Sequence, residues 1–167
     1  MAVTTTLFLT RYGQAQCNLA GLVGGEKTCT GLTGLGRRQV QLLAARLRDE
    51  HEPGLSGPHH GDADGQPWTD IKTAFGGPPQ TDPDRPYVHG SETWNQYLAR
   101  AAAALAELIS RHPGQSILIA GHGETVEAAA TLLLGLPAGT CTRAGFQVSH
   151  ASLTRWHLQR NRFGQDI

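Results

Sequence analysis

The sequence predicts an α/β fold, a three-layer α/β/α sandwich around a reduced central sheet. Two short apolar runs, TTTLFLT at residues 4–10 and SILIA at residues 116–120, are typical of strands buried on both faces. Segments with helical spacing follow both runs. At 167 residues, the chain is expected to form one domain over residues 1–167 and to bury roughly 70% of the surface of its unfolded form.

The first half of the chain begins with the strand at residues 4–10. Residues 11–32 contain five glycines and few periodic apolar residues, which predicts a long loop at the carboxyl end of that strand. A helix is expected from Thr33 to about Glu50. Thr33 can cap this helix, and its apolar positions at helical spacing are Leu35, Val40, Leu43 and Leu47.

Residues 51–90 are predicted to be mostly irregular. This segment holds seven of the nine prolines and no apolar run longer than two residues. His59 and His60 lie within this segment. They have two interpretations: metal ligands, or parts of a solvated polar loop. The solvated loop is the favoured interpretation, because no further ligand stands at metal-site spacing.

The second half alternates helices and strands. Ser91 is expected to cap a helix that runs to Arg111. The strand at residues 116–120 and the turn Gly-His-Gly then lead into a helix from about Glu124 to Leu134. Alternation of apolar and polar residues predicts two more strands at residues 146–150 and 152–158.

Composition narrows the range of partners and locations. Fourteen basic and fourteen acidic residues give no net charge, which argues against binding nucleic acid or an anionic membrane through bulk charge. The amino terminus lacks the features of a signal peptide, and no window approaches about 18 consecutive apolar residues. Cys17, Cys29 and Cys141 form no metal-binding pair. We therefore expect a cytoplasmic protein with reduced thiols and with neither a metal nor an organic cofactor.

Both buried strands end in a turn that carries reactive side chains, LFLTRYG and ILIAGHG. Parallel neighbouring strands deliver these turns to one crevice, so Arg11, Tyr12 and His122 are expected to meet there. A single histidine or tyrosine in such a turn is more often structural than catalytic. The glycines beside them, Gly123 among them, allow the backbone to approach an anion, which favours a binding site.

Five segments together resemble one family: LFLTRYGQAQCN, GLTGLGRRQVQLLAARL, GSETWNQYLARAAAAL, SILIAGHGETVEAAATLLLGLP and SHASLTRWHL. They resemble the histidine phosphatase (phosphoglycerate mutase-like) superfamily at both ends of the chain. The resemblance implies a phosphoglycerate mutase-like fold. It also implies phosphate-pocket positions for Arg11 and Asn18, the proton-donor position for Glu92, and the second pocket histidine for His122.

The sequence departs from that family in two places. The family's first motif is Arg-His-Gly, in which the histidine is the nucleophile, whereas this chain has Tyr12. The family's arginine-bearing segment Ser-Ser-x-x-x-Arg-Ala-x-x-Thr-Ala has no counterpart in residues 51–90. A phenol with an ordinary pKa of about 10 is only about one part in a thousand ionised near neutrality, and losing a charged clamp costs on the order of a hundredfold in rate. Ordinary phosphatase or mutase activity is therefore not expected.

The surviving residues predict a repurposed enzyme that uses acid/base chemistry on a small anionic or carbonyl-bearing metabolite. Its reaction would be of the isomerase, cyclase, lyase or hydrolase type, as in secondary metabolism. The predicted catalytic residues are Tyr12, His122 and Glu92, and the predicted anion ligands are Arg11, Asn18 and Gly123. Two alternatives stay open: a non-catalytic pseudophosphatase that binds an anionic ligand or a protein, and a true phosphatase in which Tyr12 is an introduced substitution.

Loss of the family's central segment also has a packing consequence. A sheet of four or five strands would expose an edge or an apolar face that such proteins normally cover. We therefore expect a homodimer. Three aromatic residues line either a pocket or an interface, or else anchor the irregular segment to the core: Trp68, Phe75 and Trp94.

Overall fold

A three-stranded mixed sheet lies at the centre of the fold. The computed structural model describes residues 5–44, 53–137 and 148–158. Its strands are β1 (Thr5–Arg11), β2 (Ser116–Gly121) and β3 (Leu153–Leu158). The order is β2-β1-β3, with β1 parallel to β2 and antiparallel to β3. The predicted α/β class is confirmed, and the first two predicted strands lie within one residue of their expected positions.

The described residues also form five helices. They are α1 (Gln16–Ala20), α2 (Gly34–Ala44), α3 (Trp68–Phe75), α4 (Trp94–Arg111) and α5 (Gly123–Leu133). Alternate residues of β1, Leu7 and Leu9, are 0% and 1% exposed and pack with apolar side chains of α4 and α5 in the main core. Strand β1 lies between β2 and β3. Its parallel pairing with β2 brings the carboxyl ends of these two strands to the same edge of the sheet.

Two helix starts show how local sequence sets boundaries. Thr33 caps α2 as predicted, since its hydroxyl accepts the backbone N–H of Gly36 at 3.0 Å. The prediction that Ser91 caps α4 is wrong. Thr93 caps it instead, through reciprocal bonds with Gln96 of 3.2 and 2.9 Å, because Thr-x-x-Gln forms a capping box. The Ser91 hydroxyl donates to the carbonyl of Val88.

The segment predicted to be irregular contains α3 and three 3₁₀ turns, at Pro53–Leu55, Gly61–Ala63 and Pro79–Thr81. Its helix was not predicted because Ile71 and Phe75, one turn apart, form a very short apolar stripe within a proline- and glycine-rich stretch.

The three aromatic residues Trp68, Phe75 and Trp94 anchor their segments to the apolar core. Phe75 and Trp94 are buried, and Trp68 packs on a second cluster formed by Val23, Ala63 and Ile71.

The predicted strand at residues 146–150 is also wrong where it can be assessed. Residues 146 and 147 lie outside the described residues, and Val148 to His150 are not in a strand. The carbonyl of Val148 accepts a hydrogen bond from Nη1 of Arg11 at 2.7 Å and so does not pair with a neighbouring strand. The described residues therefore form three strands rather than four or five.

Several apolar side chains are exposed on the described surface. Leu35 was expected in the apolar stripe of α2 but is 55% exposed, and Leu42 is 85% exposed. The described part of α2 instead approaches the protein through Gly36, which is buried. Homodimerisation stays a prediction.

Among the described helices, none combines the length and the apolar character needed to cross a membrane.

Candidate functional site

Tyr12 and His122 lie side by side because the strands that precede them end in register. Arg11 at the end of β1 pairs with Gly121 at the end of β2, and the N–H of Tyr12 donates to the carbonyl of Gly121 at 2.8 Å. The Tyr12 and His122 ring centroids are 5.0 Å apart, edge to face at 68°. The structure thus brings together the two residues expected to share the crevice.

Asn18 orients the hydroxyl of Tyr12. The Oδ1 atom of Asn18 accepts the backbone N–H of Ala15 at 2.9 Å, so its Nδ2 is the atom that donates to the Tyr12 hydroxyl, at 3.3 Å. The phenol oxygen therefore accepts a hydrogen bond, and its own proton stays available for another acceptor. Helix α1 holds Asn18 in place, although the sequence indicated only a loop, because five residues are too few to show helical periodicity.

His150 is a second imidazole beside Tyr12, and sequence reasoning did not single it out. Its ring centroid lies 5.7 Å from that of Tyr12. Its Nδ1 lies 3.3 Å from the backbone carbonyl of Tyr12. A carbonyl oxygen only accepts, so Nδ1 of His150 is the donor in this contact. The phenol is therefore flanked by two imidazoles.

Arg11 supplies positive charge next to the amino terminus of α5. Its Nη1 is bonded to Val148, while its buried Nε has no hydrogen-bond partner within the described residues. A Cβ atom placed on Gly123 would lie 3.9 Å from this Nε. The guanidinium and the first N–H groups of α5 thus converge, and both favour an anion.

His122 is held from two sides. Its backbone N–H donates to the Oγ1 of Thr125 at 3.1 Å, and that oxygen also lies 3.2 Å from the hydroxyl of Tyr97 on α4. The backbone of Gly57 covers the ring. A Cβ atom added there would lie 2.9 Å from Cε1 of the imidazole, which leaves no room for any larger residue.

Burial lowers the pKa of His122 below its ordinary value. The negative charge of Glu124 opposes this effect, while the positive charges of Arg11 and Arg100 add to it. The imidazole is consequently neutral near neutral pH. A neutral ring beside a phenol can accept a proton while the phenol donates one.

Acidification is expected to destabilise the fold through His122. In the unfolded chain the imidazole has its ordinary pKa, about 6.5, whereas in the fold that pKa is lower. The unfolded state therefore binds more protons, and stability is lost as the pH falls below about 6.5 toward the lower folded value. Urea unfolding at a series of pH values should show a smaller loss for His122→Gln than for the wild type. Equal losses would contradict the assignment of a lowered pKa.

Glu92 is engaged in a bidentate ion pair. Its Oε1 and Oε2 accept from Nε and Nη2 of Arg100 at 3.0 and 2.8 Å, and Oε2 also accepts the N–H of His59 at 3.2 Å. Burial by itself would raise the pKa of Glu92, but these hydrogen bonds hold it below its ordinary value. The structure therefore places this predicted proton donor in a salt bridge, and its contacts are with Arg100 and His59 rather than with Tyr12.

Two acidic residues on α5 were missed by sequence reasoning. The charge of Glu124 acts on His122 and on His60. Burial raises the pKa of Glu127, although a 3.1 Å hydrogen bond from Gln80 opposes this. Their position directly after Gly-His-Gly was the available signal, because the first turns of a helix that follows a buried strand face the same crevice.

The remaining histidines do not form a metal centre within the described residues. The side chain of His59 is 56% exposed, and the ring of His60 packs edge to face against Trp68 at 5.5 Å. No group of three histidine, cysteine, aspartate or glutamate side chains in the described ranges is arranged to hold a metal ion.

Comparison with known protein families matches residues 49–165 to the histidine phosphatase superfamily, branch 1. The chain belongs to this superfamily. The matched region includes Glu92 and His122 and begins after Tyr12. A search of curated proteins finds no match.

Solved structures share the histidine phosphatase fold across nearly the whole chain. Mycobacterial hydrolase 1 is 21% identical, with a TM-score of 0.75 and 93% of each chain covered. Mycobacterial glucosyl-3-phosphoglycerate phosphatase is 22% identical, with a TM-score of 0.73 and 90% of each chain covered. A histidine-to-alanine mutant of Entamoeba histolytica phosphoserine phosphatase, in complex with phosphoserine, is 16% identical, with a TM-score of 0.74 over 98% of this chain and 94% of the other. These similarities establish the fold.

Proposed function

We propose that this histidine phosphatase superfamily member is an acid/base enzyme that acts on a small anionic, carbonyl-bearing metabolite without forming a phosphoenzyme. The observation that carries the proposal is the edge-to-face contact between the ring of Tyr12, whose hydroxyl accepts a hydrogen bond from Asn18, and the neutral imidazole of His122. A phenol and a neutral imidazole in contact form a proton donor and acceptor pair. The reaction types that need such a pair are isomerisation, cyclisation, elimination and hydrolysis.

The simplest step is removal of a proton from a carbon next to a carbonyl group. His122 accepts that proton, and the bonding electrons move to the carbonyl oxygen, which takes the Tyr12 proton to form an enol. The amide of Asn18 stabilises the phenol oxygen as it loses its proton. Arg11 and the amino terminus of α5 hold an anionic group of the metabolite. Where the carbon that lost its proton also carries a hydroxyl group, that hydroxyl returns a proton to Tyr12 and becomes the new carbonyl group, while His122 delivers its proton to the former carbonyl carbon, which completes an isomerisation.

Phosphoryl transfer through residue 12 fits the site less well. The covalent route needs a nucleophile that is unprotonated near neutrality and leaves readily, which imidazole provides and a phenol does not. The structural relative crystallised with phosphoserine is a histidine-to-alanine mutant, so a pocket of this fold can hold an anionic ligand after losing a histidine.

Deuterium exchange tests the proposal without knowledge of the natural substrate. Pyruvate, oxaloacetate and dihydroxyacetone phosphate are incubated with the protein in heavy water, and loss of the signal from the proton next to the carbonyl is followed by NMR. We expect exchange above the buffer rate with at least one probe, and a decrease of about 10² to 10⁴-fold in His122→Gln. The matched control His89→Gln changes a histidine whose side chain is 95% exposed and should retain the wild-type rate. Absence of exchange with all three probes, or full exchange by His122→Gln, would contradict the proposal.

A non-catalytic anion-binding role is the second candidate. It is favoured by the ion pair of Glu92, because the acid that the resemblance implies is already fully hydrogen-bonded. Under this alternative, calorimetry would detect binding of inorganic phosphate that is lost in Arg11→Gln, while none of the three carbonyl probes would exchange. Binding together with exchange supports the enzyme instead.

A further inference from the structure

Arg100 on α4 joins Glu92 to the backbone of residues 54–57. Besides its two bonds to the carboxylate, its guanidinium donates to three carbonyls, those of Gly54, Ser56 and Gly57, at 3.0, 3.2 and 3.1 Å. Every polar atom of the guanidinium therefore has a partner, and the side chain is only 25% exposed. So complete a set of bonds fixes the path of this short segment relative to α4.

The segment held by Arg100 lies flat against His122. A Cβ atom on Gly57 would be 2.9, 3.0 and 3.1 Å from Cε1, Nδ1 and Nε2 of the imidazole. These nearly equal distances place the Gly57 backbone over the face of the ring. Leu55 anchors the same segment in the main core, where it is 7% exposed. The segment therefore separates the imidazole from solvent on this side.

Helix α4 reaches His122 by a second route as well. The Arg100 guanidinium lies 5.2 Å from the centroid of the Tyr97 ring. The Tyr97 hydroxyl lies 3.2 Å from Oγ1 of Thr125, the acceptor for the His122 N–H. The backbone of His122 is thus fixed through Tyr97, and its ring through Arg100.

We propose that Arg100 is a positioning residue for His122, and that Glu92 is the anchor of Arg100 rather than a proton donor. Together they hold residues 54–57 against the imidazole, which fixes the ring orientation and excludes water. This inference rests on the proposed function in treating His122 as catalytic. The positioning itself is a property of the free protein and can be measured without substrate.

Charged and titratable groups face His122 from several elements: Arg11 and Tyr12 at the end of β1, His150 beside Tyr12, Glu124 on α5, Arg100 on α4, and His60 in the segment before α3. A variant that removed the charge of Arg100 would alter the pKa of His122 by electrostatics alone. Arg100→Lys avoids this problem, because it keeps the positive charge but replaces the planar guanidinium with a single ammonium group. That group cannot reach the carboxylate and three carbonyls together.

The test is an NMR titration of the His122 imidazole, whose signal is assigned by its loss in His122→Gln. In Arg100→Lys, residues 54–57 should open. Their amide hydrogen exchange should accelerate at least tenfold, and the pKa of His122 should rise toward its ordinary value as water reaches the ring. In Glu92→Gln the amide hydrogen exchange of residues 54–57 should also accelerate, because Arg100 loses its anchor. Arg155→Lys, at an exposed arginine on β3, is the matched control and should change neither quantity.

An unchanged His122 titration in Arg100→Lys, or one that moves equally in Arg155→Lys, would overturn the proposal. So would a Glu92→Gln variant in which the amide hydrogen exchange of residues 54–57 stays at the wild-type rate while carbonyl-linked deuterium exchange is lost at low pH, because Glu92 would then be the proton donor. If Arg100→Lys fails to fold by circular dichroism, Glu92→Asp replaces it, since that change keeps both charges but draws the carboxylate away from the Arg100 guanidinium, and an unchanged His122 titration in that variant would overturn the proposal. If the wild type catalyses no exchange, the proposed function fails, while the titration still decides the positioning role.

Discussion

Replacing Tyr12 with phenylalanine is expected to reduce carbonyl-linked proton exchange by about 10² to 10⁴-fold. The substitution removes one hydroxyl, the proton donor of the proposed step, and keeps the aromatic ring that contacts His122. Binding of inorganic phosphate, followed by calorimetry, should persist because Arg11 and the amino terminus of α5 are unchanged. The matched control is Tyr87→Phe, at a tyrosine that packs on the second apolar cluster, and it should retain the wild-type rate.

Full exchange by Tyr12→Phe would show that the Tyr12 hydroxyl takes no part in the reaction and would leave His122 as a lone base.

A substitution of Tyr12 by histidine addresses the phosphatase alternative. Tyr12→His gives the sequence Arg-His-Gly at residues 11–13. We expect no hydrolysis of p-nitrophenyl phosphate above the buffer rate, because residues 51–90 contain no match to the family's arginine-bearing segment. Restored turnover, with a phosphorylated histidine detected by mass spectrometry, would instead establish a pocket that is still a phosphatase.

Substituting Gly36 with alanine is expected to destabilise the fold by about 1 to 3 kcal/mol, the usual cost of forcing extra atoms into a filled site. A Cβ atom there would lie 2.0 Å from the carbonyl oxygen of Gln14, and the reciprocal atom on Gly13 would lie 2.4 Å from the carbonyl oxygen of Gly36. Both neighbours are backbone, so relief requires the turn after Tyr12 to move. Exchange activity should decline together with stability for that reason.

The matched control for Gly36→Ala is Gly34→Ala in the first turn of the same helix. A Cβ atom at Gly34 has no other atom within 4 Å, and alanine has the higher helix propensity by about 1 kcal/mol. Urea unfolding should therefore show opposite changes at two positions that are only two residues apart. Equal effects would indicate that the close approach of the two backbones does not determine stability here.

Prediction from sequence succeeded where a local pattern was sufficient. The apolar runs that became β1 and β2 needed no tertiary information, nor did the Thr33 cap. The meeting of Tyr12 and His122 was also accessible, because it follows from two parallel strands that end together. The Thr93 capping box was equally visible in the sequence, but Ser91 is an acceptable cap on residue type alone, and only the reciprocal bond from Gln96 distinguishes the two.

The partners of these residues could not be predicted, because they depend on contacts between distant parts of the chain. Glu92 and Arg100 lie eight positions apart in the sequence, yet their arrangement depends on the carbonyls of residues 54–57. His150 reaches Tyr12 across 138 positions. No periodicity encodes such a contact, and the resemblance to the family assigned Glu92 a role without indicating its ion pair.

The pairing of Arg11 with Gly121 has an evolutionary consequence. Backbone hydrogen bonds fix where residue 12 emerges, and these bonds do not depend on its side chain. The side chain at position 12 can therefore change while the backbone that carries it keeps its place. A single substitution at this position is enough to present a different functional group to His122.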